Sequence, residues 1–261
     1  MDPNLRNVLD MLFRWTHVVA GIMWIGHLYF FNFVNAQVAK TYDADSKKKV
    51  VPELMPRALY WFRWGAFYTW LSGFLLAGLV YYMGNDLVME GGLSKGAGIG
   101  LSMLLIVLVF FIYDAVWKAF ASKETAGVVV SFLLVAALVL GLWQVFKARA
   151  VYIHVGMLFG TIMAMNVWMR IWPNQRKIIA AIKGGTAPDG ALVALAGLRS
   201  KQNTYMSVPL VLMMVSNHFG LMAGNEYVPG WVFVLLFVLA GWGVTKLLYL
   251  KSAGPAPARF E

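Results

Sequence analysis

The stretch "YIHVGMLFGTIMAMNVWMRIWPNQRK" (152–177) is apolar for about twenty residues, yet it carries His154 near its start and Asn166 near its middle. It then runs into Arg170, Trp172, Pro173 and a group of cations. A run of this length and apolarity is what a bilayer-crossing helix requires. It does not alternate polar and apolar residues as a barrel strand does, and hydrocarbon tolerates no unpaired backbone groups, so helix is the consistent reading. The buried polar groups then call for a role, because each is costly in hydrocarbon.

The rest of the chain repeats the pattern. Of its 261 residues, 60% are hydrophobic and 13% charged, which excludes an ordinary water-soluble globular domain. Seven apolar runs are predicted as spans, at about 9–35, 58–83, 98–120, 126–146, 150–172, 205–223 and 229–250. The expected architecture is therefore an all-α integral membrane protein, one polytopic domain over 1–251 with a flexible tail at 252–261. A polar loop is expected at roughly 36–57, and a second loop, with an amphipathic hairpin on the membrane surface, at 173–204. The short 121–125 connection predicts antiparallel neighbours on either side of it. Gly156 and Gly160 predict a close helix contact in the fifth run. No cleavable signal peptide is predicted, since the first run is long and contains Arg14 and His17.

The net charge of +10 suggests nucleic acid only until its placement is examined. With seven spans, sixteen cations fall on one side of the membrane, among them Lys47, Lys48, Lys49, Arg57, Arg176, Lys177 and Lys183. Four fall on the other: Arg6, Lys95, Lys147 and Arg149. The positive-inside rule then predicts an external N-terminus and a cytoplasmic C-terminus, with a lipid bilayer and not nucleic acid as the partner. The absence of cysteine excludes disulfides, iron–sulfur clusters and covalently attached c-type haem within this chain.

All four histidines, His17, His27, His154 and His218, fall in predicted spans. His17 and His154 lie about two turns or less inside the outer boundary and His218 about one turn, while His27 sits nearer the inner half. Histidines gathered at one level suit a haem, a metal, a proton path or a polar network, and haem b held by two axial histidines is the commonest membrane use. Helix–helix hydrogen bonding is the plain alternative. Arg14 shares a helix face with Asp10 and His17, as an internal ion pair or as a clamp for a haem propionate or an anionic substrate. Arg63 and Arg170 are candidate anion-binding groups and Glu226 a candidate proton acceptor.

The blocks "WIGHLYFFNFVN" (24–35), "ALYWFRWGAFYTWLSG" (58–73), "HVGMLFGTIMAMNVWMRIWPNQRK" (154–177) and "SNHFG" (216–220) resemble the membrane part of the bacterial cytochrome-c-linked urate oxidases. By position the resemblance points to His27, His154, Arg170, Pro173 and His218, with Trp24, Gly26, Trp61 and Arg63 as further matches. It implies a multi-pass protein of the bacterial inner membrane that oxidises urate to 5-hydroxyisourate and sends the electrons to a respiratory acceptor. The family's fused cytochrome domain has no counterpart here, because the chain contains no CxxCH. A separate periplasmic cytochrome c is then the expected acceptor. The side of substrate access stays open: an outward pocket favours Arg14, and a cytoplasmic one favours Arg63, Arg170 and Arg176. Other readings stay open too: a b-type cytochrome or accessory subunit of a larger electron-transfer complex, a transporter or channel with a histidine proton relay, or a structural subunit. Self-association is compatible with each.

Overall fold

The structure is a computed structural model that describes residues 1–219, 224 and 227–254. Among these, every regular element is helical. The α-helices are α1 (Pro3–Tyr29), α2 (Ala36–Val38), α3 (Ala44–Ala77), α4 (Lys95–Ala119), α5 (Glu124–Trp143), α6 (Ala148–Asn166), α7 (Trp172–Lys183), α8 (Gly190–Val215) and α9 (Gly230–Ala253). Wider π-turns follow α1 at Phe30–Asn35, α3 at Gly78–Tyr82 and α6 at Val167–Ile171. The tail expected at 252–261 lies outside the described residues beyond 254.

Seven spans are expected from the sequence, but among the described residues five helical stretches are long and apolar enough to cross a membrane. They are Pro3–Thr41, Lys95–Ala119, Glu124–Trp143, Ala148–Lys183 and Gly230–Ala253. The helices that fall short are α3 and α8, and the reason is composition. α3 is charged as far as Arg63 and rich in Trp, Tyr, Gly, Ser and Thr beyond it, and α8 holds Arg199, Lys201, Gln202 and Asn203.

Both expected loops are largely helical. Helix continues beyond residue 35 to Thr41, and α3 begins at Ala44 and runs through Pro52 and Pro56. Asp43 starts it by accepting the Ser46 N–H at 2.7 Å. That bond holds the Asp43 carboxyl below the usual carboxylate range. The cap is therefore at full strength above the unfolded carboxyl value and is lost as pH falls through the lowered one. In place of a 173–204 loop, α7 and α8 form a helical hairpin, and α8 carries on without a break into the sixth apolar run. Pro173 does not end its helix either. It occupies the first turn of α7, just after a π-turn, where a missing N–H is tolerated.

The chain divides into two compact units. The first comprises Met1–Phe13, Gly73–Ile162 and Pro209–Gly241. Here α4 and α5 are antiparallel neighbours, as the short connection predicts, with the Trp117 ring seated 3.1 Å from where a Gly127 Cβ would lie. The loop after Tyr82 is stapled to the end of α5 by Lys147 N–H to the Leu87 carbonyl (3.0 Å) and Met89 N–H to the Val145 carbonyl (3.1 Å). Gly156 and Gly160 do form the expected close contact, against Met213, Met214 and Leu210 of α8.

The second unit comprises Arg14–Ser72, Met163–Val208 and the chain from Trp242 onward. Its charged end has a small apolar core of Ile178, Ile182 and Ala196, covered by Val51 and Leu192, which joins α7 to the starts of α3 and α8. Elsewhere α1 and α3 touch backbone to backbone. A Cβ at Gly65 would lie 3.1 Å from the Trp24 amide nitrogen and 3.3 Å from the Ala20 carbonyl oxygen. Neither backbone atom can yield as a flexible side chain would. Gly65→Ala is expected to cost about 1–3 kcal/mol by overpacking, read as a lowered Tm of the detergent-purified protein.

Candidate functional site

The second unit gathers an arginine, several aromatic rings and a set of buried donors. Tyr60, Arg63 and Trp64 share one face of α3 by their i, i+3, i+4 spacing. Trp168 and Trp172, four apart across the π-turn, approach that face from the α6–α7 run. The Arg63 guanidinium carbon lies 4.2 Å from the Trp172 ring centroid, 5.7 Å from Trp168, 5.8 Å from Tyr60 and 5.9 Å from Trp64. Trp168 meets Trp64 edge-on at 5.5 Å. Each cation–π contact supplies roughly 0.5–2 kcal/mol, so the rings hold this cation without a carboxylate.

Two donors here are buried without an acceptor among the described residues, Arg63 Nε and Trp168 Nε1, and Trp24 Nε1 on α1 is another in the same unit. Leaving such a group unpaired costs about 1–3 kcal/mol. Donors alone, beside a guanidinium and flat rings, are complementary to an anion rich in acceptor oxygens. Arg170 lies on the π-turn and bonds its own neighbour, the Met169 carbonyl, at 3.3 Å. Arg176, exposed on α7, stands 5.9 Å from the Trp172 ring and so shares that indole with Arg63.

The histidines separate into distinct settings. His17 and His27 belong to the same unit as Arg63, and His154 and His218 belong to the other. The Nδ1 atom of His17 meets the Thr69 carbonyl at 2.9 Å and Ser72 Oγ at 3.2 Å. His27 Nδ1 meets the Met23 carbonyl at 2.7 Å, and His154 Nδ1 meets the Ala150 carbonyl at 2.7 Å. A carbonyl only accepts, so Nδ1 is the protonated nitrogen in all three, and the lone pair of the neutral ring is on Nε2. In His154 that lone pair is taken: Ser102 Oγ lies 2.8 Å from Nε2, and the Tyr82 hydroxyl lies 2.7 Å from Ser102 Oγ. Phe146 and Tyr81 close the ring in at centroid distances of 4.7 and 6.3 Å. His218 is exposed in a short 3-10 turn after α8.

Arg14 is exposed on α1 just under one turn before His17. Glu226 lies outside the described residues. Among those described, no three His, Asp or Glu side chains are placed to hold a bare metal ion. Nε2 of His17 and of His27 lacks a hydrogen-bond partner among the described residues, so either could ligate a haem iron. The two lie ten residues apart on α1, about 15 Å along its axis, and do not fit as a pair on one iron.

Sequence reasoning missed a buried polar stripe on α8. Arg199 is 2% exposed and donates to Gln202 Oε1 at 3.2 Å. Asn203 accepts from Asn166 at 2.9 Å and donates to the Met163 carbonyl at 3.0 Å. The i, i+4 recurrence of Arg199, Asn203 and Ser207 was the available signal, hidden by reading 173–204 as a loop. Trp168 was missed for the same kind of reason, since its four-residue offset from Trp172 matters only if helix continues through Pro173.

Together these features define an all-helical protein with several long apolar helices, consistent with membrane association. A family profile described as urate oxidase N-terminal matches residues 3–48 and 42–259, and the chain belongs to that family. Comparisons with curated proteins and with solved structures return no match.

Ser102→Ala would strand both His154 Nε2 and the Tyr82 hydroxyl. The expected loss is about 1–3 kcal/mol, with Ser102→Thr keeping most of the stability. Thermal unfolding of the two purified variants beside the parent checks this.

Proposed function

We propose that this chain is a multi-pass protein of the bacterial inner membrane that oxidises urate, and that Arg63 and its aromatic surround bind the urate anion. The observation that carries the reading is a pair of donors, Arg63 Nε and Trp168 Nε1, buried without acceptors among the described residues beside the Trp172 face. Urate is a planar anion with three oxygens. Indole faces suit its rings, and N–H donors suit its oxygens.

Family membership supports the substrate class. The five long apolar helices support membrane insertion, and α3 and α8 complete seven spans in this proposal. They carry Arg63 and the Arg199–Asn203 stripe, which is why their hydropathy is low. The cation asymmetry puts the N-terminus outside and the end bearing Lys47, Lys177 and Lys183 in the cytoplasm.

Oxidation of the urate monoanion with addition of water gives 5-hydroxyisourate, two electrons and one proton. A haem b would supply one-electron acceptance, with at most one of His17 and His27 as an axial ligand because the two are ten residues apart on α1, and a separate periplasmic cytochrome c is the proposed acceptor beyond it. The chain's own residues fix the anion. Arg63 offsets its charge, Trp172 and Trp168 hold its plane, and the Trp168 N–H fixes its orientation while the surrounding rings exclude water.

A pyridine haemochrome and a reduced-minus-oxidised spectrum of the purified chain, before and after anaerobic urate, test the reading. A stoichiometric b-type signal reduced by urate is expected. A haem that urate leaves oxidised would instead favour an electron-relay subunit. Arg63→Gln is expected to lower kcat/KM for urate about 10–100-fold, the worth of one charge-assisted contact, with the helical circular dichroism unchanged.

A further inference from the structure

We infer that Arg176 and Trp172 form the gated approach through which the planar anion reaches Arg63, so that substrate is taken up from the charged end bearing α7. This rests on the reading of Arg63 as the anion site.

Two guanidinium groups share one indole. Arg176 is exposed and stands 5.9 Å from the Trp172 centroid, and Arg63 is half-buried and stands 4.2 Å from it. Beyond Arg63 comes Trp168, whose N–H is buried and without an acceptor. The order Arg176, Trp172, Arg63, Trp168 thus runs from one exposed cation to three half-buried groups, alternating cation and flat ring. Like charges on one ring repel, and an anion seated between them relieves that repulsion. An exposed cation–π contact contributes only about 0.5–1 kcal/mol, so stability alone is a thin reason for placing Arg176 there.

The surroundings suit capture. α7, "WPNQRKIIAAIK", has Arg176, Lys177 and Lys183 and no acidic residue, and Arg170 immediately precedes it. Lys48 of α3 reaches the turn after α7, with its Nζ 3.5 Å from the Cβ position of Gly185. Such a field raises the encounter rate of an anion at low salt. Arg176 can meet the anion by its planar fork while Trp172 offers a face to slide along, and Trp172, half-buried and within reach of both guanidiniums, is the ring that would shift for passage. Arg176 is accordingly a positioning residue, acting on arrival and not on the electron transfer.

The test is stopped-flow binding of urate to the full-length protein in detergent, followed by tryptophan quenching across a salt series. Arg176→Gln is expected to slow association about five- to tenfold at low salt. The difference should close near 1 M salt, where the screening length is about 3 Å, and Arg176→Lys should restore most of the rate. In turnover, KM should rise with kcat unchanged. Lys177→Gln, the adjacent exposed cation, should have less than a twofold effect. An Arg176→Gln association rate and salt slope equal to the parent's would overturn the inference, and so would an equal effect from Lys177→Gln, which would mean diffuse steering. Should Arg176→Gln fail to fold, Trp172→Phe and Trp172→Ala give the same comparison, with slowed binding expected only in the second. Absence of urate binding in the parent protein would instead defeat the Arg63 reading itself.

Discussion

A guanidinium placed in an apolar helix constrains everything around it. Arg63 enters α3 among Phe62, Trp64, Phe67 and Trp70, where an unrelieved charge costs several kcal/mol. Four ring faces within 6 Å replace the water it gives up. Two of those rings, Trp168 and Trp172, are available only because helix persists from α6 through the π-turn into α7. A conventional helix end at Pro173 would scatter them. The arginine therefore depends on the continuity of a second helix that the local sequence, with its proline and cations, argues against.

The same unit is held by polar contacts that a water-soluble core would rarely use so densely. Asn32 donates to the Leu28 carbonyl and to Ser200 Oγ, each at 2.8 Å, and accepts from Tyr249 at 2.9 Å. Ser207 reaches Tyr29 at 3.1 Å, and Asn166 reaches Asn203 at 2.9 Å. In hydrocarbon, association gains little from apolar contact, and small residues with interhelical hydrogen bonds take over that task. Gly65 and Gly21 let α1 and α3 approach, and the asparagines then fix the helices against sliding. What surrounds Arg63 is thus a registered scaffold.

Much of this was legible in the sequence, for reasons that can be named. Length and apolarity are properties of single segments, so α1, α4, α5, α6 and α9 could be read directly. Arg63 and Arg170 stood out because charge in an apolar run is conspicuous. Tertiary context was not legible. Pro52, Pro56 and Pro173 are residues that commonly mark helix boundaries, yet each lies inside continuing helix. Pro173 sits in the first turn of α7 after a π-turn, where its missing N–H costs little. Pro52 and Pro56, in the third and fourth turns of α3, each leave one helix bond unmade. The hairpin expected within 173–204 could be proposed from its two short apolar stretches, but not its packing, because its core of Ile178, Ile182 and Ala196 is completed by Val51, more than a hundred residues earlier. The partner of His154 is equally remote: Ser102 is an unremarkable serine in an apolar helix until the fold puts it 2.8 Å from the imidazole.

That contact also orders the histidines. His17, His27 and His154 share one device, a backbone carbonyl at Nδ1 that fixes the tautomer and directs the lone pair to Nε2. They differ in what Nε2 meets. An iron at His154 would have to displace Ser102, and the Tyr82 hydroxyl bonded to it would lose its partner as well, so two buried hydrogen bonds would be exchanged for one ligand bond. His17 and His27 impose no such exchange. The position of a histidine in a span is therefore weaker guidance to its chemistry than the occupancy of its second nitrogen, and the two whose Nε2 lacks a partner among the described residues, His17 and His27, lie in the unit that also holds Arg63. His154, by contrast, serves a buried network with Ser102 and Tyr82 in the other unit.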